Sequence, residues 1–182
     1  MKALPTALLL AAVCGGGLLA AEGAADPAKV FDGQLKMVES EFIPLAEAMP
    51  ADHYNFAPSG GEFKGVRTFG AQVKHVASVM YIVAAALNQE KSPVDTGGEE
   101  GPSNVNTKEE IVKYARDAFA YAHAAVAKLS AQNLLENIPS PFGGKSSRLN
   151  VASILVWHTF DHYGQMAVYT RMNGIVPPAS RK

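Results

Sequence analysis

The stretch Leu149 to Asn173, LNVASILVWHTFDHYGQMAVYTRMN, decides how this chain is read. It has the length and spacing of one long helix. Alternating steps of four and three run through Val151, Leu155, His158, His162, Gln165, Tyr169 and Met172, which places them on one face. The ends of that seam are apolar, and its middle carries two imidazoles and an amide. A polar group left unsatisfied in a core costs about 1–3 kcal/mol, so these side chains need partners. Two histidines four residues apart also rise about 6 Å along one helix face, close enough for both rings to converge on one metal ion. The expectation is a helical bundle with a metal site in its middle.

Three more helices are legible. Asp26-Pro27 opens the first, with Asp as N-cap and Pro at the first helical position. Its core stripe is Phe31, Leu35, Val38, Phe42, Leu45 and Met49, and Pro44 predicts a kink near Ser40 to Pro44. Residues 51–67 form a connection that Tyr54, Phe56 and Phe63 are expected to pin to the bundle. Helix two runs from about Thr68 to Gln89 with Phe69, Val73, Val76, Met80, Val83 and Leu87 inward, and is apolar enough to be largely buried. Residues 90–106 are a polar loop rich in Gly, Pro and acids; its length suits either a lid or a tether. Helix three opens on Thr107-Lys108-Glu109-Glu110, a capping box, and is expected to end near Gln132 to Asn137. Ser146 or Ser147 is positioned to cap helix four, and Gly174 with Pro177-Pro178 stops it. Four long helices, no convincing strand and no internal repeat give an all-α four-helix bundle. A second apolar stripe on helix four (Val156, Phe160, Tyr163, Ala167) implies burial on both sides, either within the monomer or in a homodimer.

The chain has 182 residues, a length suited to one domain, and 48% are hydrophobic. A net charge of −1 gives no case for a nucleic-acid partner. Met1-Lys2, an apolar run from Ala7 to Ala20 broken by Gly15-Gly16-Gly17, and small residues at Gly23 and Ala25 read as a signal peptide over residues 1–25. The bundle domain then spans 26–182, exported to a periplasmic or extracellular location, with no membrane span after signal removal. The one cysteine, Cys14, lies in the leader, so no thiolate is left as ligand or nucleophile. All five histidines lie beyond it.

His158 and His162 are the leading metal ligands, and His75 on helix two is the best third. Three protein ligands with one position left for water is a common catalytic arrangement for zinc and similar ions. His123 is the rival. By helical spacing it neighbours Arg116 and Lys128, a positive setting that disfavours a cation, and it reads as a boundary residue. His53 lies in a loop at the bundle end. Asp161 is one step off the seam, placed to order a ligand histidine or to pair with Arg171; Gln165 on the seam is placed to hold His162 or a metal-bound water. These two are the candidate catalytic residues. Walker, dinucleotide and Gly-x-Ser-x-Gly motifs are absent, as is the Glu-x-x-His pair of di-iron bundles.

WHTFDHYGQMAVYTRMNGIVPP, with histidines four apart, the second two residues before Gly-Gln, and a terminal Arg-x-x-Gly-x-x-Pro-Pro, resembles the DinB-like family. FGAQVKHVA on helix two is similar to that family's first histidine motif, and YNFAPSGGEFKGVRTF to its entry loop. The resemblance covers about Val30 to Ser180. It implies an up-down-down-up four-helix bundle, often dimeric, with a divalent metal (zinc or nickel, or else iron or manganese) held by His75, His158 and His162. Relatives act as metal-dependent hydrolases or as transferases using low-molecular-weight thiols. Two functions follow as expectations. One is an enzyme whose metal activates water or a thiol for an unidentified small-molecule substrate. The other is a non-catalytic exported bundle acting as a binding or structural module.

Overall fold

The computed structural model describes residues 25–181. The expected signal peptide over residues 1–25 lies, but for Ala25, outside the described residues. Four helices dominate: α1 (Pro27–Ala48), α2 (Phe69–Asn88), α3 (Lys108–Val126) and α4 (Arg148–Met172). Each starts on a side-chain cap. Asp26 accepts from the Ala28 amide, Thr68 from Ala71 and Ser147 from Asn150. Thr107 and Glu110 complete the capping box of α3. The α1 helix continues through Pro44, which leaves the Ser40 carbonyl without its usual amide donor.

Contacts at the helix ends fix the directions. Gly70, at the start of α2, packs on Tyr54 and on Ile111 near the start of α3, so α2 and α3 run parallel. Tyr54 donates to the Ala46 carbonyl (2.7 Å), and Lys108 to the Glu47 carbonyl (2.7 Å), which brings the end of α1 to the same pole. Arg148, opening α4, donates to the Leu87 carbonyl at the other pole. Tyr169, near the end of α4, donates to the Arg67 carbonyl. The order is up-down-down-up. α1 and α2 each pack against both α3 and α4 and lie on a diagonal. The core fills from all four: Phe42, Phe69, Phe119, Leu35, Met80, Leu155 and Met166 are fully buried. α2 is long and apolar enough to cross a membrane, with mean hydropathy 1.3, yet 78% of that stretch is buried inside the bundle.

Parallel neighbours need a crossover as long as the helix between them, roughly 30 Å for a helix of this size. Residues 89–107 are that crossover, which explains a loop of this length without invoking a lid. A glycine turn shapes its middle. The Gly101 amide donates to the Thr96 carbonyl (2.9 Å), and Gly97 and Gly101 have φ of +56° and +87°. A Cβ at Gly101 would lie 2.9 Å from Lys74 Cβ on α2. Gly101→Ala should therefore destabilise the fold by about 1–3 kcal/mol through backbone strain and overpacking, read as a lowered midpoint in urea.

Several expectations need correction. Phe63 is exposed at 41%, so Tyr54 and Phe56 pin the entry loop without it. α3 ends at Val126, short of Gln132, because Ser130 and Asn133 cap each other in a tight turn. A two-stranded antiparallel hairpin, β1 (Asn137–Pro139) with β2 (Lys145–Ser147), sits where none was expected. Strands of three residues with a proline at one end carry too little pattern to be read. On α4, Gln165 and Met172 turn out to solvent while Met166 and Thr170 are buried. The four-three seam has a period of 3.5 and the helix 3.6, so the buried face drifts over its length. The second stripe (Val156, Phe160, Tyr163, Ala167) packs partly buried against the core of the same chain.

Candidate metal centre

His75 from α2 and His158 and His162 from α4 come together in the middle of the bundle. One ring nitrogen from each lies within 4.8 Å of the others. The ring centroids are 4.5–5.0 Å apart. His75 and His162 are buried, at 4% and 8% exposure, and His158 is half-buried. His75 Nε2 and His158 Nε2 face each other at 3.2 Å. Two nitrogens bound to one tetrahedral ion at about 2.0–2.1 Å sit about 3.3–3.4 Å apart, so this spacing suits a shared cation.

The outward nitrogens decide which lone pairs point in. His75 Nδ1 lies 2.8 Å from the Glu99 carbonyl, which can only accept, so Nδ1 carries the proton and Nε2 is bare. His162 is fixed through a longer chain. The Asp161 carboxylate accepts from Gln165 Nε2 (3.1 Å), Gln165 Oε1 accepts from Gln72 Nε2 (3.0 Å), and Gln72 Oε1 accepts from His162 Nδ1 (2.6 Å). An ionised carboxylate has no proton to give, so the direction of every bond back to the ring follows. His162 also presents a bare Nε2 inward. Two of three inner nitrogens are thus held as lone pairs, one by the Glu99 carbonyl and one by the buried Gln72, the arrangement that metal-ligating histidines adopt.

Burial pushes the His158 imidazolium down to about 3 and that of His162 to about 4, and the neighbouring histidines and Arg67 push the same way. Both rings stay neutral at physiological pH, the form that binds metal. Unfolded histidine takes its proton near about 6.5, so between that pH and about 4 the unfolded chain holds about two more protons at these positions. This contribution to stability is complete above about pH 6.5 and is lost as pH falls. Thermal unfolding of metal-free protein should show it, and a His158→Gln/His162→Gln double variant should show a shallower slope by about two protons over that window.

The other sequence candidates separate from this cluster. His123 sits between α1 carboxylates, with Nδ1 2.7 Å from Asp32 and Nε2 3.2 Å from Glu39. Its surroundings are acidic, contrary to the positive setting expected from its own helix; Arg116 turns to Glu47 and Lys128 to Asn88. The facing helix supplies charges that spacing along one helix cannot reveal. His53 lies at the bundle end beside Asp52. Asp161 pairs with Gln165, and Arg171 bonds Ser180 instead of Asp161.

Four contributors escaped the sequence reading: Gln72, the Glu99 carbonyl, Arg67 and Glu100. Val66, Arg67, Gln72, Glu100, His162 and Gln165 line a cavity of about 390 Å³ that reaches the cluster. A buried glutamine three residues before a histidine on the same helix was the one available signal.

The model of the DinB superfamily matches residues 34–166, well over half of the chain. The chain belongs to the DinB superfamily. Its fold is that of solved relatives. The crystal structure of a DinB-like protein from Bacillus cereus superposes with a TM-score of 0.64 at 16% identity, covering 82% of this chain and 95% of that one. A DinB-like protein from Bacillus subtilis gives 0.61 at 18% identity, covering 80% and 92%. A conserved protein from Enterococcus faecalis gives 0.64 at 14% identity, covering 82% and 98%. At these identities the likeness extends to fold alone. No curated protein matches the sequence.

Proposed function

We propose that this DinB-superfamily protein is a divalent-metal-dependent enzyme, of hydrolase or thiol-transferase type, with His75, His158 and His162 as its ligands. The observation that carries the reading is the pair of Nδ1–H anchors, Glu99 carbonyl and Gln72 amide, which turn bare Nε2 atoms inward. When bound, the ion supplies Lewis acidity and activates water or a thiol. The chain's own residues orient the rings, keep them neutral and leave His162 on the wall of a cavity sized for a small molecule. That opening favours a catalytic role over a closed structural ion. Zinc and nickel suit three imidazoles best, with iron or manganese as further candidates.

Cobalt-substituted protein tests the open position. Azide or a small thiol should shift its visible spectrum, and a spectrum indifferent to both would remove the catalytic reading.

Export and self-association belong to the same proposal. The leader pattern at 1–25 supports export, checked by cell fractionation and a mature N-terminus at Asp26. Exposed Trp157, Val168 and Met172 on α4 support a homodimer, checked by sedimentation.

A further inference from the structure

We propose that Arg67 is the anchor for an anionic substrate, a carboxylate or a phosphate, and that Glu100 occupies that anchor until the substrate arrives. The proposal takes the histidine cluster as the reacting end of the cavity and so rests on the metal-centre reading.

Arg67 stands at the N-terminal approach to α2, and its carbonyl is held by the Tyr169 hydroxyl at 3.2 Å. Its guanidinium meets Glu100 two atoms to two, with Nε 3.3 Å from Oε2 and Nη2 2.6 Å from Oε1. This fork-on-fork contact is how arginine recognises a free carboxylate or a phosphate. Both residues line the cavity that His162 also lines. A molecule held on Arg67 in this cavity therefore lies beside the cluster.

The pair is open to solvent. The Glu100 side chain is 65% exposed and that of Arg67 32%. The two-pronged contact is the strong kind, but its exposure leaves it open to exchange, so an incoming oxyanion of matching geometry can displace Glu100. Glu100 is delivered by the glycine turn of the crossover, and its neighbour Glu99 holds His75 through the backbone. Filling the anchor from solution thus acts on the same two-residue segment that orients a ring of the cluster.

The test is calorimetric titration of the full chain, metal-free and zinc-loaded, with inorganic phosphate and with succinate at low ionic strength. The two probes distinguish phosphate from carboxylate as the preferred oxyanion. Glu100→Gln should tighten binding of the preferred probe by about 10-fold, because a charged competitor is gone. Arg67→Gln should weaken it by at least about 10-fold, with Arg67→Lys between, since lysine keeps the charge and loses the fork. Binding unchanged by Arg67→Gln, or not strengthened by Glu100→Gln, would overturn the proposal. Should Arg67→Gln fail to fold, the Glu100→Gln arm decides alone. Zinc-independent binding that follows Arg67 in a protein that takes up no zinc would uphold the anchor and remove the metal centre. Binding that follows zinc and ignores Arg67 would do the reverse.

Discussion

His158→Ala should leave the protein without a tightly bound metal. His75 Nε2 faces His158 Nε2 at 3.2 Å, and the third inner nitrogen lies within 4.8 Å of both. Removing the middle ring leaves one imidazole on each of two helices. The cleanest readout is thermal. An ion that binds only the folded state raises stability by about 4 kcal/mol at a free concentration a thousandfold above Kd. For a chain of this size that is a rise in Tm of roughly 10 °C. The parent should show this rise on adding zinc, and His158→Ala should show almost none. Its metal-free form should melt slightly below the metal-free parent, because the loss leaves the buried His75 Nε2 without its partner at 3.2 Å. A variant that still bound one ion per chain tightly would exclude His158 as a ligand.

Gln72→Leu should weaken metal binding by about 10–100-fold while leaving all three histidines in place. Gln72 accepts from His162 Nδ1 at 2.6 Å and donates to Gln165. Leucine fills similar space and does neither. The His162 ring then loses the bond that fixes its proton on Nδ1, and its N–H is left without an acceptor in a buried place. The metal-free variant should also lose about 1–3 kcal/mol of stability for that unsatisfied group. Gln72→Glu separates orientation from packing. It keeps an acceptor for His162 and adds negative charge behind the ring, so affinity should stay near that of the parent or rise. A site in which Gln72 merely fills space would suffer as much from Glu as from Leu. Asp161→Asn, two bonds further out, should have a smaller effect, since it only removes the group that forces the direction of the relay.

How much of this was legible depends on whether the cause lies within one helix or between two. Caps, stripes and the inward histidines are local: Thr107-x-x-Glu110 announces a helix start, and His158 and His162 share a face whatever they pack against. His75 could be paired with them because a lone imidazole in an apolar helix needs a reason. The acidic setting of His123 is not legible along its own helix, because Asp32 and Glu39 arrive from α1. Gln165 was placed on the seam by a count that slips by a tenth of a residue per turn, and in the fold it reaches Gln72 from the rim. Arg67, Glu99 and Glu100 belong to connections. Their roles arise because parallel α2 and α3 draw a long crossover back past the cluster, and no periodic pattern records that route.

The most direct test of the metal centre is X-ray absorption at the edge of whichever ion accompanies untagged protein purified without added metal. Elemental analysis should first find one divalent ion per chain. The spectrum should then show about three imidazole ligands at about 2.0–2.1 Å and a lighter donor in the remaining position, and His75→Ala, His158→Ala and His162→Ala should each abolish it. Protein that carries no ion and takes up none on addition, or an ion whose spectrum lacks imidazole scattering, would contradict the account.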